Sequence, residues 1–236
     1  MNLADLLNVA TLALLPPRCV LCGIEAGAQG LCASCNALLD ENLEACARCA
    51  QPLPRAAPLC GECVTHLPAF DAALAGFIYQ DPFAHLVQRL KFNNSLACAR
   101  ALSQRWASSM RARRSALDHP LPQALIPIPL HAARLRQRGY NQALELAREL
   151  QTKFSLPILR DVLRRTRATA PQPGLDIDER RRNLRGAFAV SADRLPARVA
   201  LIDDVMTTGA TLAEAAKTLK RAGVEWVELW VLARRP

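Results

Sequence analysis

Aromatic side chains are scarce in this sequence. At 5% of 236 residues they cannot fill a core, which must be built mainly from Leu, Ala, Val and Ile. Long apolar runs are missing as well. The longest near the N-terminus, Val9 to Pro17, is far too short to cross a bilayer, which excludes a polytopic membrane protein. No basic segment precedes that stretch, Asp5 lies ahead of it, and no convincing cleavage site follows, so a signal peptide is not expected. The four His residues are scattered without metal-ligand spacing. What is present suits a folded chain: 51% apolar, 22% charged, mean hydropathy near zero. A wholly disordered or collagen-like chain is thereby excluded. The length fits one or two domains, and the default expectation is a soluble cytoplasmic protein with no membrane insertion.

Charge is unevenly spread. Residues 1–70 hold three Arg against six acids, a balance of −3; residues 71–236 hold 27 Lys plus Arg against 15 acids, a balance of +12. The basic part is therefore where phosphate or nucleic-acid contacts are to be sought. A blander origin competes, because 26 of the 30 basic residues are Arg and a GC-rich genome would favour them.

Cysteine is abundant in the acidic part. Eight of nine fall into four CxxC pairs: Cys19/Cys22, Cys32/Cys35, Cys46/Cys49 and Cys60/Cys63. Two thiolates at this spacing present their sulfurs to one tetrahedral ion, and a second pair completes a closed site. A disulfide framework suits a secreted chain, a thioredoxin-like motif needs one CxxC, and iron–sulfur ligation favours tighter runs. Two structural zinc ions are expected, without an open catalytic position. Cys19 and Cys22 recur as Cys46 and Cys49 at an offset of 27, and Cys32 and Cys35 recur as Cys60 and Cys63 at an offset of 28. Such a duplicated ribbon favours sequential sites, Cys19/Cys22/Cys32/Cys35 and Cys46/Cys49/Cys60/Cys63. A cross-braced pairing of first pair with third remains open from spacing alone. Cys98 stands apart in an Ala-rich helical stretch and reads as a small buried hydrophobe.

Beyond Cys63 the pattern changes. Strands are expected over Phe70–Tyr79, Ala124–Ile128, Val199–Ile202 and Trp226–Ala233. Helices are expected over Pro82–Phe92, Leu96–Met110, Asn141–Gln151, with Ala143, Leu146, Ala147 and Leu150 on one face, and Thr211–Ala222, with Leu212, Ala215, Ala216 and Leu219 on one face. Arg111 to Pro122 reads as a basic, Pro-punctuated connection and a plausible internal boundary. Strands that are apolar on both faces, alternating with amphipathic helices, indicate a parallel α/β sheet.

The most informative segment is Val199-Ala-Leu-Ile-Asp203-Asp204-Val-Met-Thr207-Thr208-Gly209-Ala210-Thr211-Leu212. An apolar strand delivers two acids at its C-terminal end, where ligands bind in open α/β sheets. A hydroxyl-rich turn and a helix N-terminus follow, and both suit a phosphate. Gly209 permits close approach or a positive φ. Two adjacent carboxylates suit paired sugar hydroxyls. Diol beside phosphate suggests a 5-phosphoribosyl group, against the plainer reading of an Asp pair at a helix start.

This segment resembles the phosphoribosyl pyrophosphate loop of type I phosphoribosyltransferases. The wider chain resembles the ComF family, associated with bacterial competence and the use of external DNA. Pro17-Arg18-Cys19-Val-Leu-Cys22, the run Ile126-Pro-Ile-Pro-Leu…Arg138-Gly139-Tyr-Asn-Gln142, and Thr169-x-x-Gln172…Arg182-Asn183-Leu-Arg-Gly186-Ala-Phe188 carry that likeness. The resemblance implies a Rossmann-like type I phosphoribosyltransferase fold over 67–236 behind an N-terminal helix and small double zinc ribbon over 1–66. It implies phosphoribosyl pyrophosphate as ligand, held by Asp203, Asp204, Thr207, Thr208, Gly209, Ala210 and Thr211. It further implies that Arg138 and Gly139 lie on the pyrophosphate side, where Arg134, Arg136 and Arg138 could grip phosphate bidentately. Lys91 matches a family position that carries no assigned chemistry here. The Pro- and Thr-rich stretch Thr166–Gly174 and a short helix opening at Arg180-Arg181-Arg182 suit a closing loop or a plain surface excursion.

Phosphoribosyl transfer would use Mg²⁺ on the pyrophosphate and ribose hydroxyls, with Asp203 and Asp204 stabilising the carbon that loses its leaving group. No pattern names the acceptor. A non-catalytic adaptor that follows single-stranded DNA along its arginines is the second reading. A third makes the ribbons a dock for a helicase or translocase, against their being a fold-stabilising appendage.

Overall fold

The computed structural model describes residues 17–27, 29–55, 57–92, 95–115, 117–167, 184–192 and 194–236. In chain order its elements are α1 (Ala33–Ala37), α2 (Gly61–Thr65), β1 (Ala72–Ile78), α3 (Phe83–Phe92), α4 (Leu96–Ser115), β2 (Ala124–Pro127), α5 (Ala132–Arg138), α6 (Gln142–Phe154), β3 (Leu163–Arg165), β4 (Phe188–Val190), β5 (Arg198–Met206), α7 (Ala210–Arg221) and β6 (Trp226–Arg234). The expected N-terminal helix, the loop beyond Arg167 and the helix opening at Arg180 lie outside the described residues.

Runs of Val, Ile, Leu and Ala make a four-stranded sheet in the order β1-β6-β5-β2, and every pairing is parallel. The strands are apolar toward both faces because helices cover both. Alternation along β5 shows the division. Ala200 and Ile202 join the core beneath α4 and α6, with Trp106, Leu146 and Trp230. Val199 and Leu201 face α7, with Leu212, Ala215, Ala216 and Leu219. The four residues expected on the buried face of the last helix are its buried residues, and Ala143, Leu146, Ala147 and Leu150 are buried likewise on α6.

One expectation needs correction, and one segment for which no element was expected is helical. Helix α4 runs on through Arg111–Ser115, so the connection begins later, and its basic end is no boundary. Arg114 and Glu228 are 3% and 1% exposed. Arg114 Nε and Nη2 reach the Glu228 carboxylate at 3.2 and 3.1 Å, while the Trp226 and Trp230 indoles donate to it at 3.2 and 2.8 Å. The basic run after Pro129 is also helical: α5 is capped by Gly139 at φ 76°, whose N–H bonds the Leu135 carbonyl at 2.8 Å.

Neither outer strand is left as an open edge. The chain between the two cysteine clusters runs antiparallel along β1: the Ile78 N–H donates to the Asp40 carbonyl at 2.9 Å, and the Asn42 N–H to the Gly76 carbonyl at 3.1 Å. Arg105 of α4 bonds Asn36 Oδ1 at 2.8 Å and pairs with Glu41. On the other edge Leu125 exchanges main-chain bonds with Pro157 and Leu159, each 2.9 Å. Unpaired edge strands invite association with other chains, and here both outer strands gain such cover.

Candidate functional site

The cysteines form two separate groups, Cys19/Cys22/Cys32/Cys35 and Cys46/Cys49/Cys60/Cys63, each with ligand atoms within 4.8 Å of one another. Pairing is therefore sequential, as the repeat favours, and not cross-braced. Sulfur separations of 3.7 Å for Cys22 and Cys32, and 3.6 Å for Cys49 and Cys60, test the fit to a metal. A tetrahedral zinc with bonds of about 2.3 Å places its sulfurs ~3.8 Å apart. The fit is good. Burial would raise the Cys19 thiol, but backbone N–H groups at Cys22 and Cys32 outweigh it and bring it down to about 6; Cys46 is brought down to about 7 against burial by Cys60 and Cys49. The knuckles match the duplication: Gly23 follows the first pair at φ 76°, and Ala50 holds the equivalent place at φ 54°.

The second cluster is at the C-terminal end of the sheet, where β5 carries the acid pair. Strand β5 continues past Ile202 to Met206, so both acids belong to the strand's own end. Asp203 Oδ1 accepts from the Asp204 N–H at 2.9 Å, and Asp204 Oδ1 accepts from the Val205 N–H at 2.6 Å. Burial first, then the neighbouring Asp204 charge, push the Asp203 carboxyl up to about 7; the Asp204 N–H, Lys91 and Arg165 pull the other way. Asp204 is 8% exposed and pairs with Lys91 Nζ at 3.2 Å.

The turn that follows leaves Thr207 and Thr208 exposed and Ala210 and Thr211 half-buried. Thr208 Oγ1 accepts from the Ala210 N–H at 3.4 Å. Gly209, at φ 73°, is the N-cap of α7 and supplies no capping side chain. A Cβ there would stand 2.5 Å from Met206 Cε, in a backbone region that L residues rarely adopt. N–H groups at a helix start, exposed hydroxyls and a glycine make a cradle for an anion.

Basic residues from three other elements face this end of the strand. Parallel pairing sets Pro127 beside Ile202, and the Ile128 N–H bonds the Ile202 carbonyl at 2.9 Å, so β2 delivers α5 next to the acids. Arg134 and Arg138 lie one helical turn apart on the same half-buried side, whereas Arg136 is exposed. The three arginines therefore do not converge; helical periodicity separates Arg136 from the other two. Burial lowers Arg134 below the usual guanidinium range, Arg138 repels it further, and Asp204 opposes the shift. Arg165 behaves alike: burial and Arg134 lower it, while Asp203 raises it. Arg138 Nη1 donates to Gln142 Oε1 at 3.2 Å. Asn141 caps α6 through the Ala143 N–H and ties it to the Ile128 carbonyl, each at 3.0 Å. The Tyr140 hydroxyl bonds the Leu90 carbonyl and so anchors the helix that carries Lys91.

Asp203, Asp204, Thr207, Thr208, Gly209, Ala210 and Thr211 thus follow one another from the end of β5 into the start of α7; Arg134 of α5 acts on Asp204, Arg138 is one helical turn from Arg134, and Gly139 ends that helix. Lys91 has no role legible in the sequence, and neither Arg165 nor Arg234 carries a motif, because all three arrive from distant segments. The acid pair is not a dedicated cage for a hard cation, since Asp204 is occupied by Lys91. The donor set fits only an ion that brings most of its own ligands with it.

Fold and site together define a phosphoribosyltransferase-type α/β domain behind a double zinc ribbon. Residues 10–64 match the family model for the double zinc ribbon domain, and residues 135–236 match that for the phosphoribosyl transferase domain. The chain is 37% identical to competence protein F of Haemophilus influenzae over 222 residues, 92% of this chain and 96% of that protein. It is 31% identical to the DNA utilization protein YhgH of Escherichia coli K12 and 30% identical to that of Salmonella typhi, each over 93% of this chain and 97% of the relative. The chain belongs to the ComF family. Among the described residues no helix is long and apolar enough to cross a membrane.

Proposed function

We propose that this chain binds 5-phosphoribosyl pyrophosphate at the β5–α7 turn and transfers its phosphoribosyl group, with residues 67–236 as the transferase module and 1–66 as the zinc-ribbon module. The observation that carries this reading is the acid pair and open anion turn on one strand end, faced by Lys91, Arg134, Arg138 and Arg165. The names of the relatives, competence and DNA utilization, support a role in the use of external DNA.

Asp203 and Asp204 accept hydrogen bonds from the two ribose hydroxyls. N–H groups and hydroxyls of Thr207, Thr208, Gly209, Ala210 and Thr211 hold the 5-phosphate. Arg138, with Arg134 and the Gly139 turn, takes the pyrophosphate. Mg²⁺, bound through the substrate's pyrophosphate and ribose hydroxyls, would neutralise charge on the leaving group. The C1–O bond breaks with its electron pair leaving on pyrophosphate, and an acceptor's lone pair forms the new bond to C1. The carboxylates of Asp203 and Asp204 stabilise the cationic character at the ribose while that exchange occurs.

Calorimetric titration of the zinc-loaded protein with phosphoribosyl pyrophosphate and Mg²⁺ tests the reading. Micromolar binding by the wild type, lost in Asp203→Asn/Asp204→Asn, is the expected result, followed by pyrophosphate release once bases and DNA ends are screened as acceptors. No binding by the wild type would overturn it. Single-stranded DNA affinity that survives the double substitution would move the adaptor reading, with a helicase or translocase as partner, to first place.

A further inference from the structure

Arg234 ends β6 and is 8% exposed. Its Nε donates to the carbonyl of Cys49, a member of the second four-cysteine group, at 3.3 Å. Its Nη1 reaches the carbonyls of Met206 at 3.2 Å and Arg235 at 2.6 Å, and also that of Thr207. The Arg235 N–H adds a main-chain bond to the Met206 carbonyl at 3.0 Å. One guanidinium therefore joins the backbone of the second ribbon to the backbone entering the anion turn. Around it is a cavity of about 300 Å³ lined by Glu62, His66, Phe70, Met206 and Thr208, among others, so ribbon and turn are not packed solidly together.

The direction of those carbonyls matters. In a planar trans peptide, C=O and the following N–H point opposite ways. Holding the Met206 and Thr207 carbonyls toward Arg234 turns the N–H groups of Thr207 and Thr208 away from the ribbon, to the open side of the turn. Those are donors that an anion needs. The first four-cysteine group packs elsewhere, in the core shared with α4.

We propose that Arg234 is a positioning residue that fixes the two peptide planes of the anion turn and ties them to the second four-cysteine site, so that ligand at the turn and metal at that site stabilise one another. This rests on the reading that the turn holds a phosphate of phosphoribosyl pyrophosphate. Coupling between two sites is reciprocal: metal retention improves binding, and bound ligand slows metal loss. The first site takes no part in this linkage.

The test uses the full zinc-loaded chain with Arg234→Met, which keeps an unbranched stem without donors, and Arg234→Lys, which keeps charge but not the fork. Without any ligand, amide exchange at Thr207–Thr211 should quicken at least tenfold in Arg234→Met and by less in Arg234→Lys; unchanged exchange overturns the proposal. Phosphoribosyl pyrophosphate should bind Arg234→Met at least tenfold more weakly. In the wild type, saturating ligand should slow chelator extraction of one zinc, identified by alkylation of Cys46, Cys49, Cys60 and Cys63. Extraction at equal rates with and without bound ligand overturns the linkage. A merely structural Arg234 would lower Tm without altering that ligand-dependent protection. If Arg234→Met does not fold, Arg234→Lys and wild-type extraction decide the matter. A wild type that binds no phosphoribosyl pyrophosphate defeats the proposed function, and amide exchange still tests the role of Arg234.

Discussion

Replacing Asp203 by Asn isolates one proton whose energetic effect can be worked from its surroundings. Burial and the adjacent Asp204 raise this carboxyl from an ordinary 3.8 to about 7, against the pull of the Asp204 N–H, Lys91 and Arg165. At about 1.4 kcal/mol per pH unit, the ionised form costs the folded state up to ~4 kcal/mol. The folded protein holds the Asp203 proton more tightly than the unfolded chain does. The resulting stability is fully present below the unfolded pKa, near 4, and is lost as pH rises through about 7. Asn cannot titrate, so its profile lacks that loss. The stability of the wild type relative to Asp203→Asn should therefore fall by roughly 2–4 kcal/mol between pH 4 and pH 8, the lower figure allowing for water at this strand end. Urea unfolding of both proteins at half-unit intervals measures it. Parallel profiles across that range would refute the reasoning, because they would mean that Asp203 is already ionised at pH 5 in the folded chain.

The same proton governs binding. A diol donates hydrogen bonds to a carboxylate, so ligand favours the ionised form of Asp203. Wild-type affinity for phosphoribosyl pyrophosphate should climb with pH by up to tenfold per unit below about 7 and then level off. The ligand's phosphates titrate nearby, and the residual pH dependence of the Asn variant supplies that baseline.

Three other outcomes are expected. Lys91→Met leaves Asp204 without its 3.2 Å partner and should move the Asp203 titration higher, readable as a shift of the unfolding profile's midpoint, with at least tenfold weaker ligand binding by calorimetry. Gly209→Ala forces a side chain into the left-handed region against Met206, at about 1–2 kcal/mol, and should weaken ligand binding while zinc content stays at two ions per chain. Arg114→Leu strands the buried Glu228 and should cost about 3–5 kcal/mol in denaturant unfolding; Arg114→Leu/Glu228→Gln, which removes the charge but keeps an acceptor for the Trp226 and Trp230 indoles, should recover much of it. Ligand affinity should survive in both variants, because Glu228 lies toward the opposite end of β6 from the site.

The strand end with its acid pair and the turn into α7 were legible as a candidate site because strand, acids, hydroxyls and helix start follow one another within a single segment. Cysteine pairing was legible from the duplication, and the helix faces of α6 and α7 from their apolar spacing. Helix α5 was not, and the reason is physical. It buries no residue, and Leu135, its one large apolar side chain, is 41% exposed, so it leaves no hydrophobic period to read. Lys91, Arg165 and Arg234 were hidden for a different reason: each owes its role to a partner brought close only by the folded sheet.

The fold also revises what the basic composition means. Arginines at 105, 113, 114 and 234 look like surface charge in the sequence. Folded, Arg105 serves Asn36 and Glu41, Arg113 serves the carbonyls of Asn42 and Ala75, Arg114 serves Glu228, and Arg234 serves Cys49 and the anion turn. A guanidinium committed to internal carbonyls and carboxylates has few donors left for a phosphate backbone. The +12 of residues 71–236 therefore overstates what a nucleic acid would meet. Salt dependence of any single-stranded DNA binding should report far fewer phosphate contacts than that net charge suggests. Arg134 and Arg165 are instead gathered at one strand end, around Asp204 and Asp203.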